Sequence, residues 1–162
     1  MKSRSSNRRP VPANVYESLD ETHREIVFHL ERLKLLAISL PTAPAEEAAH
    51  DQVRQVIDFF AGASREHHYD EERFVFPPLL AGSDATVHRV IERLREDHAW
   101  IELQWLDIEA QLETAAEGAP LKDGPALIAT VDEFVHLMHD HIALEDSTLQ
   151  HQLGTRSTSP RS

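Results

Sequence analysis

The sequence predicts an all-α protein, specifically an up-down-up-down four-helix bundle. Four separate stretches carry apolar residues at alternating steps of four and three, the spacing of one helix face. The stretches are divided by short segments with proline, glycine or capping residues, and short connections make consecutive helices antiparallel neighbours. Strand-like alternation is absent.

The first helix is expected to start at Ser18, where Ser18-x-x-Glu21 forms a capping box, and to end before Pro41. Its stripe is Leu19, His23, Ile26, Leu30, Leu33, Ala37 and Leu40. Glu46 and Glu47 suit the first turn of a second helix with the stripe Ala49, Val53, Val56, Phe60, Ala63, His67, Glu71 and Phe74, which Pro77 and Pro78 are expected to stop. Ser83 or Asp84 can cap a third helix, whose stripe runs Val87, Ile91, Leu94, His98, Ile101, Trp105, Ile108 and Leu112 before Gly118 and Pro120. Asp123 and Pro125 open the fourth, with Leu127, Val131, Phe134, Met138, His141 and Glu145.

With 162 residues the chain fits one domain, expected over residues 18–152. Residues 1–17 form a basic, Ser/Pro/Arg-rich tail and residues 153–162 a second polar one; both read as disorder, the first as solvated filler. The overall charge is −12, and the 18–152 segment alone holds 27 acidic against 10 basic residues, which argues against a nucleic-acid-binding surface. Cysteine is absent, which excludes disulfides, iron–sulfur clusters, thiolate zinc sites and cysteine nucleophiles. No apolar run approaches the ~18 residues of a membrane span and no apolar stretch follows the basic N-terminus, so no membrane role is expected and the default address is cytoplasmic.

The informative feature is polar. His23, His67, His98 and His141 each fall on the stripe of a different helix, and two are followed one turn later by a carboxylate, as His67-x-x-x-Glu71 and His141-x-x-x-Glu145. Positions i and i+4 share a helix face, so each pair can reach one centre. Six ionisable groups on core stripes would cost several kcal/mol each without a partner, and a metal ion would serve all six. One tetrahedral zinc would leave two groups idle. Two six-coordinate irons would use them all and keep room for a bridging oxygen and an exogenous ligand. Ferritin-like bundles use Glu-x-x-His, so the His-x-x-x-Glu spacing separates this chain from them.

The segments LDETHREIVFHLERL, HHYDEERFVFPPL, EDHAWIEL and HDHIALEDSTL resemble the four helix motifs of the hemerythrin-like HHE cation-binding family, over roughly residues 18 to 152. The resemblance implies a hemerythrin four-helix bundle with a di-iron centre that handles oxygen. The third helix has His98-x-x-x-Glu102 where oxygen-carrying hemerythrins have two histidines, which makes Glu102 a seventh candidate ligand. Its other reading is an ion pair with an arginine along the helix interface. His141-x-x-x-Glu145 stands where an aspartate five residues on is usual. His68, about 100° round the helix from His67, is expected at solvent or an interface and is a reserve ligand. His29, His50, His88, His136, His139 and His151 fall off the stripes and read as surface groups.

The leading functional expectation is a non-haem di-iron protein that binds or senses dioxygen, peroxide or another small diatomic ligand. The alternatives are an enzyme that uses the same centre to reduce peroxide or oxidise a substrate, and metal storage or a zinc-stabilised interaction bundle.

Overall fold

The computed structural model describes residues 13–42 and 47–157, and all regular structure among them is helical. Four long rods form: α1 is Ala13–Ser39, α2 covers residues 47–80 in several segments, α3 is Ala85–Ala116 and α4 is Gly124–Ser157. α1 packs against α2 and α4, and α3 packs against the same two, so the chain closes into the expected up-down-up-down bundle.

Helix ends follow local chemistry. Of the two candidates for the α3 cap, Asp84 takes the role, its carboxylate accepting from the Thr86 and Val87 amides at 2.9 and 3.4 Å. Gly118 follows α3 with φ +75°, and the Gly118 and Ala119 amides donate to the Ala115 and Thr114 carbonyls. That left-handed cap is open to glycine without a Cβ penalty. Asp123 accepts from the Ala126 amide at 3.0 Å as α4 begins. The Ser18 capping box is not a helix start. α1 already runs from Ala13, and the Ser18 carbonyl accepts from the Thr22 hydroxyl inside the helix. No glycine or proline between Ala13 and Ser18 interrupts the helix. α4 likewise continues to Ser157, beyond the expected domain end. The remaining tail residues, 1–12 and 158–162, lie outside the described residues.

Three stripes are buried as expected, with only Leu40 half-buried. α2 departs from its stripe twice. Beyond Phe60 the buried position is Ser64 instead of Ala63, and beyond Glu71 it is Val75 and Phe76, both with no exposure, while Phe74 is 53% exposed. The first shift follows a break at Gly62, whose φ/ψ of −107°/−96° is not helical. A Cβ there would lie 2.8 Å from the Asp58 carbonyl oxygen. The second follows a π-helical turn, Glu71–Val75, in which the Phe76 amide reaches back to the Glu71 carbonyl. A π turn holds an extra residue, so later side chains lag by about 100°. Pro77 and Pro78 explain it: each lacks an amide hydrogen, and its ring crowds the carbonyl four residues back. The prolines therefore widen α2 instead of stopping it, and helix continues through Phe76–Leu80.

Two apolar cores result. The larger contains Ile26, Leu30, Phe60, Ile101, Trp105, Phe134 and Met138 among others. The smaller holds Leu19, Val75, Phe76, Leu79, Val87, Ile91, Leu94 and Leu149. On every helix the buried histidines and glutamates fall between residues of one core and residues of the other, so the polar groups form a single layer inside the bundle.

Candidate metal centre

The layer consists of His23, His67, His68, Glu71, His98, His141 and Glu145, none more than 9% exposed. Their donor atoms converge in two groups. His23, His67, Glu71 and Glu145 form one; His68, Glu71, His98 and His141 form the other; within each, one donor atom from every residue lies within 4.8 Å of the others. Glu71 belongs to both. Its Oε1 is 2.6 Å from His67 Nε2 and 3.8 Å from His23 Nε2, and its Oε2 is 3.0 Å from His98 Nε2. Glu145 also spans the groups, with Oε2 3.4 Å from His23 Nε2 and 3.7 Å from His141 Nε2.

The six side chains on the four stripes thus meet, and His68 joins them. Its ring stacks on His98 at 4.3 Å and meets His141 edge-on at 5.4 Å, instead of facing solvent. Beyond the Gly62 break, the buried side of α2 falls between His67 and His68, so adjacent histidines serve opposite sides of the Glu71 carboxylate. Glu102 does not reach the layer. It pairs with Arg65 at the surface, and the side chains are 44% and 31% exposed. Three residues after His98 the inward position belongs to Ile101, which leaves Glu102 on the flank facing α2.

Three carboxylates outside the stripes orient the histidines. His98 Nδ1 lies 2.8 Å from Glu72, His23 Nδ1 2.9 Å from Asp146, and His141 Nδ1 3.6 Å from Asp97, which Arg93 holds at 2.9 Å. Each carboxylate is the sequence neighbour of a central residue yet serves a histidine on the following helix: α2 supports α3, α3 supports α4, and α4 supports α1. The two hydrogen-bonded pairs, His98–Glu72 and His23–Asp146, fix the ring and turn the other nitrogen inward, while Asp97 stands 3.6 Å behind His141. Sequence reading missed all three. Their one visible signal was a second acid beside Glu71 and Glu145, and an acid beside His98.

Many inward atoms remain without a hydrogen-bond partner: both oxygens of Glu71 and Glu145 and Nε2 of His68, His98 and His141; His141 Nδ1, on the Asp97 side, has none either. These atoms crowd together without hydrogen-bonding, and buried polar groups left so are costly. Each side of Glu71 presents nitrogen and oxygen donors with no thiolate, a set suited to a first-row transition ion. The residues therefore fit a metal site.

Electrostatics reflect the crowding of the layer. Burial lowers His68 well below the usual histidine range and also lowers His141. Burial likewise opposes charge on His23, but contacts with Glu145 and Glu71 outweigh it and raise that ring to about 10. Against the same penalty, Glu71 and Glu72 raise His98. Burial and the nearby Glu71 charge push Glu145 up to about 8. Glu71 is held well below the usual carboxylate range despite full burial, because His23, His67 and His98 all face it.

Among the described residues no helix is long and apolar enough to cross a membrane. No solved structure matches the chain. A protein of Haemophilus influenzae described as an uncharacterized protein is 27% identical over 130 residues, which cover 80% of this chain and 73% of that protein. The family model of the hemerythrin HHE cation-binding domain matches residues 14–153. With that span and a buried His/Glu layer that fits a metal, the chain belongs to the hemerythrin HHE cation-binding domain family.

Proposed function

We propose that the chain is a non-haem di-iron protein that binds or senses dioxygen or a related small molecule. His23, His67 and Glu145 would hold one iron, His68, His98 and His141 the other, and Glu71 would serve both. The observation that carries this reading is Glu71, whose two oxygens face two different groups of histidines. One ion would satisfy one group and leave the second as orphaned buried atoms.

When bound, two irons supply reversible one-electron chemistry toward dioxygen or a similar ligand. The chain's own residues set the conditions. Glu72 and Asp146 keep the Nε2 atoms of His98 and His23 turned inward. Ile26, Ile101 and Met138, all buried beside the layer, exclude bulk water from it.

The test is the metal content of the full chain purified without a histidine tag, followed by the optical spectrum of the reduced form on exposure to oxygen. About two iron ions per chain and an oxygen-dependent spectral change are expected. One firmly bound zinc with no iron uptake rejects the di-iron reading. Iron uptake with a spectrum indifferent to oxygen rejects the dioxygen part alone.

A further inference from the structure

Nine large apolar side chains stay exposed among the described residues, and seven of them lie on two helices. On α1 they are Val27, Phe28, Leu35 and Ile38, between 36% and 68% exposed; on α3 they are Trp100, Leu103 and Leu106, between 52% and 59%. Each set follows helical spacing, so each forms one outward stripe on the side of its helix away from the core. α1 and α3 both pack against α2 and α4, so they stand diagonally across the bundle and their stripes look in opposite directions. Charge divides the stripes further. From Glu96 to Glu113 α3 holds six acids and neither lysine nor arginine, whereas from Arg24 to Ser39 α1 holds three bases, Arg24, Arg32 and Lys34, against two acids. The α1 stripe thus has a locally positive fringe in a chain of net charge −12. Phe28 is also held in place before any contact: the Arg32 guanidinium lies over its ring at 5.7 Å and donates to the Gln55 side chain at 2.9 Å.

We propose that the α1 stripe of one copy of this chain docks on the α3 stripe of a second copy, head to tail. Charge complementarity selects this occupant. Two α3 stripes pressed together would set acids against acids, while unlike stripes join apolar centre to apolar centre and positive fringe to negative. Glu96 and Asp107 are exposed on the α3 side, and Arg24 on the α1 side. The stripes also match in length, since Phe28 to Leu35 and Trp100 to Leu106 each cover about two helical turns. A contact that uses a different face on each partner leaves both end copies with a free stripe, so association continues beyond two chains into a ring or an open row. One helix laid on one helix is a small interface, and its dissociation constant belongs in the range of about 10–100 µM. The contact uses no side chain of the His/Glu layer, so it stands apart from the function proposed above.

The experiment is sedimentation velocity of the full chain from about 5 to about 500 µM, a range that brackets the expected constant. The weight-average mass of the parent should rise by about twofold or more across that range. Leu35→Glu and Leu103→Glu each put an acid at the centre of one stripe, and each should weaken association by about tenfold or more. Both positions are exposed, so neither change should disturb the fold. Mixed in equal amounts, the two variants should form pairs and stop there, because one keeps its α3 stripe, the other keeps its α1 stripe, and the two remaining faces are both blocked. Circular dichroism checks folding, and Ile38→Glu or Leu106→Glu replaces a variant that fails it. A parent that stays monomeric throughout assigns the stripes to a different partner and overturns the proposal. So does a single variant that associates as well as the parent, which would mean that like stripes pair, and so does a mixture that stays monomeric. A chain that assembles as expected but takes up no iron keeps this inference and fails the proposed function.

Discussion

α2 and α4 carry the same His-x-x-x-Glu spacing and present it to the same layer, but they are built differently. α4 runs unbroken from Gly124 to Ser157, and its His141 and Glu145 lie where helical periodicity puts them. α2 is interrupted at Gly62 and again by the π turn that starts at Glu71. The broken helix supplies more of the layer: two adjacent histidines, a carboxylate facing both groups, and Glu72 behind His98. A regular helix offers one narrow face. Local departures from regularity let one helix address two groups of donors, in keeping with the tendency of π turns to occur at functional sites.

The largest expected effect compares the two glutamates. Glu71→Ala removes oxygen donors from both groups, so iron should fall from about two ions per chain to well below one. Glu145→Ala removes the oxygen near His141 as well as that near His23 but leaves Glu71 with the His68, His98, His141 group, so about one ion, more weakly held, should remain. Metal analysis of both variants decides it, and equal loss would show that α2 has no special role.

Next comes the register beyond the π turn. Phe76, fully buried, should cost about 3–5 kcal/mol on truncation to alanine, whereas Phe74, more than half exposed, should cost at most about 0.5 kcal/mol. Denaturant unfolding of the two variants measures the difference. Similar losses would mean that α2 keeps regular α-helical register through Glu71–Val75.

The third effect is in the metal-free layer, where the groups divided between α1 and α4 set the pH dependence. His23, near 10, and Glu145, near 8, both bind protons more tightly in the folded chain than at their ordinary values of 6.5 and 4.5. The stabilisation from Glu145 is present below pH 4.5 and is lost as pH rises through about 8. That from His23 is present below 6.5 and is lost as pH rises through about 10. His68 and His141, lowered in the fold, act in the acid range instead. The thermal midpoint of metal-free protein should therefore fall by about 3 °C or more between pH 7 and 9. Metal uptake in the same range should release protons and tighten as pH rises. A midpoint that rises from pH 7 to 9 would contradict the charge assignments at His23 and Glu145.

The sequence by itself determined four amphipathic helices, their order, and six ionisable groups in one layer. Those conclusions need only helical periodicity and the cost of burying charge, which are properties of each stretch taken alone. Tertiary structure decided the rest. Whether His68 or Glu102 faced inward depended on rotations of a fraction of a turn at Gly62 and along α3, smaller than a stripe pattern resolves. Phe74 lost its inward place to Val75 and Phe76 because two prolines widened the backbone, a hydrogen-bonding event invisible to periodicity. The partners of Glu72, Asp97 and Asp146 are histidines on the next helix, and a contact between helices is fixed only when the bundle closes and sets their relative height and rotation.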